Sequence, residues 1–285
     1  MTPTARPRRS VLYMPASNHK AVAKARELAC DAVILDLEDA VAPEAKAEAR
    51  TAAVQAVADG GWGGREVVIR CNGLDTEWGA DDLAAAARAG PDAVLVPKVN
   101  HAAELRRYDA EIRAARPETA LWAMIETGRS LFRLDEIAAA AADTRLAGFV
   151  MGTNDLAKEL GWRFGHRREP FLWALSAATA AARAHGLVVL DGVFNGLEDE
   201  AGLSAECAQG LEWGFDGKTL IHPRQIEPCN RAFTPTDAEV AHARAVITAF
   251  ALPENAGKGA IRVDGKMAER LHLAQAEKTV ANAGA

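Results

Sequence analysis

The sequence has no run of about eighteen consecutive apolar residues, so we expect no segment that crosses a membrane. It has no excess of basic residues either, because 33 lysines and arginines stand against 39 aspartates and glutamates and give a net charge of −6. A protein that binds nucleic acid needs a basic face to neutralise phosphates, and this balance argues against that class. The basic residues at Arg6–Arg9 are not followed by the apolar stretch of an export signal.

Cysteine is also scarce. The four cysteines are Cys30, Cys71, Cys207 and Cys229, and no two of them form a CxxC pair. This spacing argues against a disulfide framework and against a structural zinc site. The simplest location for such a chain is the reducing cytoplasm.

The overall composition is that of an ordinary globular protein. Apolar residues make up 49% and charged residues 25% of the 285 positions. By length alone the chain fits two domains of roughly 150 residues, or one large α/β barrel.

Eight short apolar runs recur along the chain, and each is followed by an alanine-rich stretch. The runs are Val11–Met14, Ala32–Leu37, Val67–Cys71, Ala93–Val96, Leu121–Ile125, Ala147–Met151, Leu187–Leu190 and Lys218–Ile221. Because the runs are continuous rather than alternating, they predict strands buried on both faces, as in a parallel sheet covered by helices.

The stretches between the runs favour helices. Good helix formers dominate Val22–Leu28, Ala45–Val57, Leu83–Ala89 and Ile137–Ala142. Eight strand–helix units with no ninth predict a (β/α)8 TIM barrel, although an open doubly wound sheet fits the same pattern.

The pattern changes towards the C-terminus, so we divide the chain into a barrel over residues 1–230 and an appended segment over 231–285. Thr236 to Glu239 form a capping box that opens a helix running to about Phe250. Beyond a link that contains Pro253, we expect a short strand at Ile261–Val263 and a helix from about Met267 to Val280.

Polar residues stand at the ends of the predicted strands, where such barrels place their catalytic groups. They include Glu38 and Asp39 after the second run, Arg70, Lys98, Glu126, Asn154 with Asp155, Asp191 and His222. Each acid alone is explained by capping of the next helix. The set as a whole predicts a metal site, because carboxylates gathered at one rim repel one another unless a cation lies between them.

The ligand types indicate which metal. Carboxylates without histidine or cysteine suit Mg²⁺, which keeps several waters and takes one or two protein carboxylates. Glu126 and Asp155 form the best pair, since each directly follows a buried run. Open positions on the ion would chelate a 2-oxo acid, with Arg70 facing it.

Several motifs carry a resemblance to a known family, and they occur in order over nearly the whole chain. They are RSVLYMP at 9–15, LDLEDAV at 35–41, IRCNG at 69–73, VPK at 96–98, MIET at 124–127, GTNDL at 152–156, GKTLIHP at 217–223, and GKMAE at 265–269 followed by Gln275-Ala276. In these motifs the chain resembles the HpcH/HpaI aldolase and citrate lyase β-subunit family, in its CitE-like and malyl-CoA lyase branch.

The resemblance implies roles for the strand-end residues. Glu126 and Asp155 match the Mg²⁺ ligands, and Arg70 matches the arginine that holds the oxygens of the 2-oxo acid. Asn154 and Asp155 would present backbone N–H groups to the substrate carboxylate. Glu38 and Asp39 would order the water around the metal.

The resemblance also implies a channel for coenzyme A. Tyr13 and Lys24 match positions that line it, and His222 would lie beside it as a wall residue or helix cap.

The tail contains one departure from the family pattern. Met267-Ala268-Glu269 stands where the family carries Met-Ile-Asp or Met-Val-Asp. In relatives that aspartate lies in a C-terminal lid and acts as acid or base in a neighbouring subunit, which implies a homotrimer or hexamer. Glu269 keeps the carboxylate but lengthens it by one methylene, so the lid either serves another substrate or works less well.

The implied function is that of a Mg²⁺-dependent carbon–carbon lyase. It would cleave malyl-CoA or citramalyl-CoA to acetyl-CoA and a 2-oxo acid such as glyoxylate, pyruvate or oxaloacetate. The alternatives are citryl-CoA cleavage, an aldolase that uses pyruvate and free aldehydes, and a barrel that binds CoA esters or metal with little turnover. Outside the site, we expect the run from Arg163 to Arg168 to form a solvated loop.

Overall fold

Eight parallel strands close into a barrel in the order of the sequence. The structure is a computed structural model that describes residues 6–164 and 168–283. The strands are β1 (Ser10–Pro15), β2 (Ala32–Asp36), β3 (Glu66–Arg70), β4 (Ala93–Val96), β5 (Ala120–Ile125), β6 (Leu146–Met151), β7 (Val188–Asp191) and β8 (Gly217–Leu220). Strand β8 pairs with β1, so that Ser10 lies opposite Lys218. This pairing closes the sheet and confirms the barrel over the open sheet.

A cluster of buried apolar side chains fills the barrel interior. Val11, Ile34, Leu95, Trp122 and Val150 belong to a single buried cluster inside the barrel. Leu35 and Ile69 are buried as well, which explains why the strands are continuous apolar runs.

Helices follow the strands around the outside. They are α1 (His19–Ala25), α2 (Lys46–Asp59), α3 (Gly79–Ala89), α4 (Ala102–Ala115), α5 (Gly128–Leu131), α6 (Leu134–Ala139), α7 (Thr153–Leu160), α8 (Leu172–Ala184), α9 (Glu200–Glu212) and α10 (Ile226–Phe233). Helix α1 begins and ends about three residues before the predicted stretch, because Asn18 accepts a hydrogen bond from the N–H of Ala21 and caps the helix there.

The chain from Arg231 onwards belongs to a second compact unit, and Arg8–Asn230 form the first. The second unit contains α11 (Asp237–Ala251), β9 (Ala260–Val263), β10 (Lys266–Glu269) and α12 (Arg270–Ala283). Thr236 caps α11 through the predicted capping box. Its apolar core consists of Ala243, Val246, Ile261, Val263, Ala268 and Ala276.

The helix predicted from Met267 is wrong in its first turn. Asp264 and Gly265 have φ angles of 47° and 79°, the positive values that a tight hairpin turn requires. This turn pairs Val263 with Lys266, so residues 266–269 form a strand and α12 begins only at Arg270. Glu269 therefore ends a strand instead of lying in a helix.

Two expectations about composition can be compared with the structure. Within the described residues, no helix combines the length and the apolar character that a membrane crossing needs. All four cysteines are free and buried.

Candidate active site

The core of the site is an ion pair between the last residues of β2 and β3. Nε and Nη2 of Arg70 each donate to one carboxylate oxygen of Asp36, at 2.6 Å. Both side chains are almost completely buried, at 7% and 1% exposure. Burial disfavours the charged guanidinium, but the negative charges of Asp36 and its neighbours outweigh it and raise the pKa of Arg70. The paired planar groups fix the direction in which Arg70 points.

The remaining nitrogen of Arg70 faces the centre of the rim. Nη1 lies 2.8 Å from Oε2 of Glu38 without the alignment of a hydrogen bond, and 3.4 Å from Oδ2 of Asp39. It also approaches the Sδ of Met124 at 3.6 Å. Asp36 binds Nε and Nη2 at 2.6 Å, whereas the hydrogen bonds of Nη1 to Asp39 and Met124 are long, so Nη1 is the nitrogen of Arg70 that can turn to a substrate oxygen.

Glu38 lies between two cations. Its Oε1 accepts a hydrogen bond from Nζ of Lys98 at 2.7 Å, and its Oε2 faces Arg70. Burial raises the pKa of Glu38 even though both cations oppose the shift. This carboxylate can hold a polar partner at its Oε2 because no aligned donor occupies that oxygen.

Glu126 follows β5 and is 1% exposed. Its Oε1 accepts from the backbone N–H of Lys98 at 2.7 Å, and Lys98 adopts a positive φ of 50° at this turn. The other oxygen, Oε2, is buried without a hydrogen-bond partner in the described structure. Burial, together with the charges of Glu38 and Asp155, raises the pKa of Glu126 to about 8. Glu126 is thus a buried acceptor without a donor, which a cation would stabilise.

Asp155 lies in the first turn of α7, immediately after β6. Gly152, which caps the same helix, comes so close to Glu126 that a Cβ atom there would lie 2.4 Å from Oε2 of Glu126, so the two acids share one region of the rim. Asn154 beside it is exposed, and its amide exchanges two hydrogen bonds with that of Asn195, at 2.8 and 3.2 Å. Among the described residues, no three histidine, cysteine or acidic side chains gather as a complete metal cage. The arrangement fits a hard cation that takes two carboxylates and leaves its other positions to water and substrate.

The residues predicted to line the coenzyme A channel lie at the β1 and β8 side. The ring of Tyr13 packs under the Arg70 guanidinium at 4.9 Å, so Tyr13 adjoins the site directly. Lys24 is exposed in the last turn of α1. His222 follows β8, and its Nδ1 accepts from the N–H of Arg224 at 3.2 Å, which confirms the expected helix cap.

Glu269 lies in the second compact unit, at the end of β10. Its backbone N–H donates to Nδ1 of His272 at 2.9 Å, and its side chain is half-buried.

The sequence analysis did not predict the role of Lys46, which positions the backbone that carries Glu38. Lys46 at the start of α2 is 6% exposed, and its Nζ donates to the carbonyls of Leu37 and Glu38 and to Oδ1 of Asn72, at 2.7–2.9 Å. It therefore clamps the backbone that carries Glu38. A lysine in the first turn of an alanine-rich helix gives no local signal that distinguishes it from a surface residue.

The solvated loop predicted over 163–168 is wrong at its end, while residues 165–167 lie outside the described structure. Arg168 is 2% exposed, and its Nη1 lies 2.9 Å from both carboxylate oxygens of Asp191. Lys218 of β8 donates to Asp191 at 3.0 Å and to Glu206 at 2.9 Å. Arg168, Asp191 and Lys218 are thus buried together, and the partly exposed Glu206 completes the charge cluster beside β7.

The model of the HpcH/HpaI aldolase/citrate lyase family matches residues 9–223, which covers the barrel and its rim. The chain belongs to this family. It is 49% identical to a (3S)-malyl-CoA thioesterase of Cereibacter sphaeroides over 285 residues, which are 100% of this chain and 98% of that protein. It is 34% identical to an L-malyl-CoA/β-methylmalyl-CoA lyase of the same species, over 99% of this chain and 96% of that one.

A solved structure supports the same relationship. The crystal structure of CitE from Mycobacterium tuberculosis, in complex with magnesium, acetoacetate and coenzyme A, superposes with a TM-score of 0.77 at 31% identity. The match covers 99% of each chain. Family membership and the barrel are therefore confirmed.

Proposed function

We propose that the protein is a Mg²⁺-dependent enzyme that breaks down a 3-hydroxyacyl-CoA thioester of the malyl-CoA type. The observation that carries this proposal is the state of Glu126, a buried carboxylate with one unpartnered oxygen and a pKa raised to about 8. Such a group either holds a proton or, as a carboxylate, needs a cation beside it. Asp155 supplies a second carboxylate, and the related CitE structure contains magnesium and coenzyme A.

In this proposal Glu126 and Asp155 would hold the ion at the ends of β5 and β6. When bound, Mg²⁺ polarises the hydroxyl and carboxylate of the substrate and lowers the pKa of that hydroxyl. Arg70 binds one substrate oxygen through Nη1, while its pair with Asp36 keeps the guanidinium rigid. Glu38 and Asp39 hold and orient water beside that nitrogen.

Hydrolysis of the thioester is the reaction that we assign first. Water adds to the thioester carbonyl, the C–S bond breaks, and free coenzyme A and a hydroxy dicarboxylic acid leave. The 49% identity over the whole chain to a malyl-CoA thioesterase supports this assignment. The glutamate at position 269 supports it as well, because hydrolysis needs no proton transfer at the carbon next to the thioester, the step that the family resemblance gives to an aspartate.

Carbon–carbon cleavage is the second candidate. A base removes the proton of the substrate hydroxyl, the bond between the hydroxyl-bearing carbon and its neighbour breaks, and the thioester leaves as an enolate. Glu269, or a water that it positions, returns a proton to that carbon, and acetyl-CoA and a 2-oxo acid are released. The 34% identity to a malyl-CoA lyase and the position of Arg70 support this reaction.

One assay separates the two reactions. Incubated with malyl-CoA and Mg²⁺, a thioesterase releases a free thiol and malate, whereas a lyase releases acetyl-CoA and glyoxylate without a free thiol. The same assay with citramalyl-CoA and citryl-CoA tests the substrate range, including the citryl-CoA alternative. Glu126→Gln is expected to abolish the Mg²⁺-dependent turnover of either kind.

Three results would contradict the proposal. Turnover that is unchanged in Glu126→Gln removes this residue from the metal site. Tight binding of CoA esters in calorimetry, with no cleavage in the presence of Mg²⁺, favours a binding protein instead. A 2-oxo acid trapped on Lys98 by borohydride would point to a Schiff-base aldolase.

We also propose a homotrimer or hexamer, working in the cytoplasm, in which Glu269 serves the site of a neighbouring subunit. Met267 and Leu271 flank Glu269 and are 70% and 60% exposed, as expected of a segment that covers another surface. A monomeric mass in light scattering would contradict this assembly.

A further inference from the structure

A half-open cavity of about 320 Å³ lies at the carboxyl end of β7. It is bounded by Phe164 on one side and by the loop between β7 and α9 on the other. Its lining includes Phe164, Val193, Phe194, Asn195, Asp199 and Glu206. An engineered apolar cavity of roughly 150 Å³ is large enough to bind benzene, so this one has room for several carbon atoms.

The cavity adjoins the metal site. Asn195 in its wall exchanges two amide hydrogen bonds with Asn154, the residue next to Asp155. Strand β7 pairs with β6 and is four strands from β3 in either direction around the closed barrel, so the cavity lies across the rim from Arg70. A substrate held between Arg70 and the ion therefore has this cavity at its far side.

The walls favour an uncharged occupant. Phe164, Val193 and Phe194 are apolar, and no lysine or arginine is among the described residues of the lining. Two cations neutralise the charge of Glu206, because its Oε2 lies 2.9 Å from Nζ of Lys218 and 3.5 Å from Nη1 of Arg168.

Asp199 makes the lining net negative. Its Oδ1 accepts from the N–H of Gly202 at 2.8 Å and caps α9. A second carboxylate brought into the cavity would meet this charge.

Arg168 does not change this conclusion. Its Nη2 has no hydrogen-bond partner among the described residues. A nitrogen of this kind would bind an anion if a ligand could reach it. However, the side chain is 2% exposed, and Arg168 is not part of the cavity lining. The guanidinium stays behind the wall, where a bound ligand does not reach it.

We propose that this cavity binds the side chain of the 2-oxo acid portion of the substrate, and that it selects alkyl side chains over one that ends in a carboxylate. The inference rests on the proposed function, because it places the oxo acid between Arg70 and the ion. The sequence motifs do not determine the substituent on the carbon that bears the hydroxyl group. The inference assigns a binding site to that substituent.

Calorimetry with the full chain in saturating Mg²⁺ tests the proposal without turnover. The ligands are glyoxylate, pyruvate, 2-oxobutanoate, 2-oxopentanoate and oxaloacetate. We expect the affinity to rise about fourfold with each methylene, the gain for transferring that group out of water. Oxaloacetate and 2-oxobutanoate form a matched pair of similar size, and we expect oxaloacetate to bind more weakly.

Two variants test the volume of the cavity and the charge of its lining separately. Val193→Phe fills the cavity and is expected to abolish the rise in affinity with chain length. Asp199→Asn removes the charge but keeps an equally good helix cap, so the affinity for oxaloacetate relative to 2-oxobutanoate is expected to rise about two- to fivefold. Leu211→Ala is the control, since Leu211 is an exposed apolar residue of α9 outside the lining.

Each remaining outcome is decisive. Equal affinities for glyoxylate and the longer acids, or tighter binding of oxaloacetate than of 2-oxobutanoate, overturn the inference and leave the proposed function intact. An equal loss of glyoxylate and 2-oxopentanoate binding in Val193→Phe assigns the cavity to another part of the substrate and also overturns it. If none of the acids binds in Mg²⁺, the inference is overturned together with carbon–carbon cleavage, whereas hydrolysis of the thioester, which forms no 2-oxo acid, is decided separately by the release of free thiol.

Discussion

The side chain of Glu126 fits at the rim only because residue 152 is a glycine. A Cβ atom on Gly152 would lie 2.4 Å from both the Cβ and the Oε2 of Glu126, far inside van der Waals contact. Gly152 ends the turn between β6 and α7, so the chain that delivers Asp155 also leaves space for the other acid. The positions of the two proposed ligands therefore both depend on the absence of a side chain at residue 152.

We expect Gly152→Ala to displace Glu126 and to weaken Mg²⁺ binding at least about tenfold, while the barrel stays folded. Calorimetric titration with Mg²⁺ measures the affinity, and circular dichroism checks the fold. Gly64→Ala is the matched control, because a Cβ there meets nothing within 4 Å. Unchanged Mg²⁺ affinity in Gly152→Ala would separate Glu126 from the metal.

The affinity for Mg²⁺ should depend on pH through Glu126. Its pKa is raised to about 8, so below that value a proton must leave before the carboxylate can bind the ion. The apparent affinity is therefore expected to rise about tenfold from pH 6 to pH 7 and to level off above pH 8. Titrations in buffers of different ionisation enthalpy would count the proton released.

Glu38→Gln provides the control for this pH dependence. The charge of Glu38 helps to raise the pKa of Glu126, so its removal should shift the midpoint to lower pH. An affinity that is flat from pH 6 to pH 9 in the unaltered protein would contradict the assignment.

Arg70→Lys should lower kcat/KM for the thioester by about a hundredfold or more, the usual effect of losing one charge-stabilising donor. A single ammonium group cannot bond both oxygens of Asp36 and also face the substrate. Steady-state kinetics measures the effect. Arg106→Lys is the comparison, since Arg106 forms an exposed pair with Asp143 and its replacement should leave the kinetics unchanged.

Lys46→Met should destabilise the fold by about 2–4 kcal/mol, because it leaves two buried carbonyls and the Asn72 side chain without their donor. Urea unfolding measures this change. The loop that carries Glu38 should loosen as well, so kcat should fall more than KM changes. Lys20→Met, at an exposed position of α1, is expected to change stability by less than about 0.5 kcal/mol. An equally small change in Lys46→Met would show that the clamp is unimportant.

Local sequence signals predicted most of the backbone but not all of it. The capping box at Thr236 placed the start of α11 correctly, since a cap depends on residues within one turn. The hairpin turn at Asp264 and Gly265 was equally local, yet the helix-forming residues that follow it led to a helix that begins too early. Arg168 was misplaced for a different reason, because its partners Asp191 and Gln209 lie far along the chain.

The sequence by itself determined the eight parallel strands and the rim on which the candidate site lies, while the pairing of β8 with β1 decided that the sheet closes. Continuous apolar runs specify strands buried on both faces, and parallel strands all end at the same rim, so the polar residues after each run had to gather there. Only the tertiary structure decided which groups pair. It turned the Arg70 fork towards Asp36, left one oxygen of Glu126 without a partner, and opened a cavity beside Asn195. Pairing and burial depend on distances between side chains that are remote in the chain, and no local pattern encodes those distances.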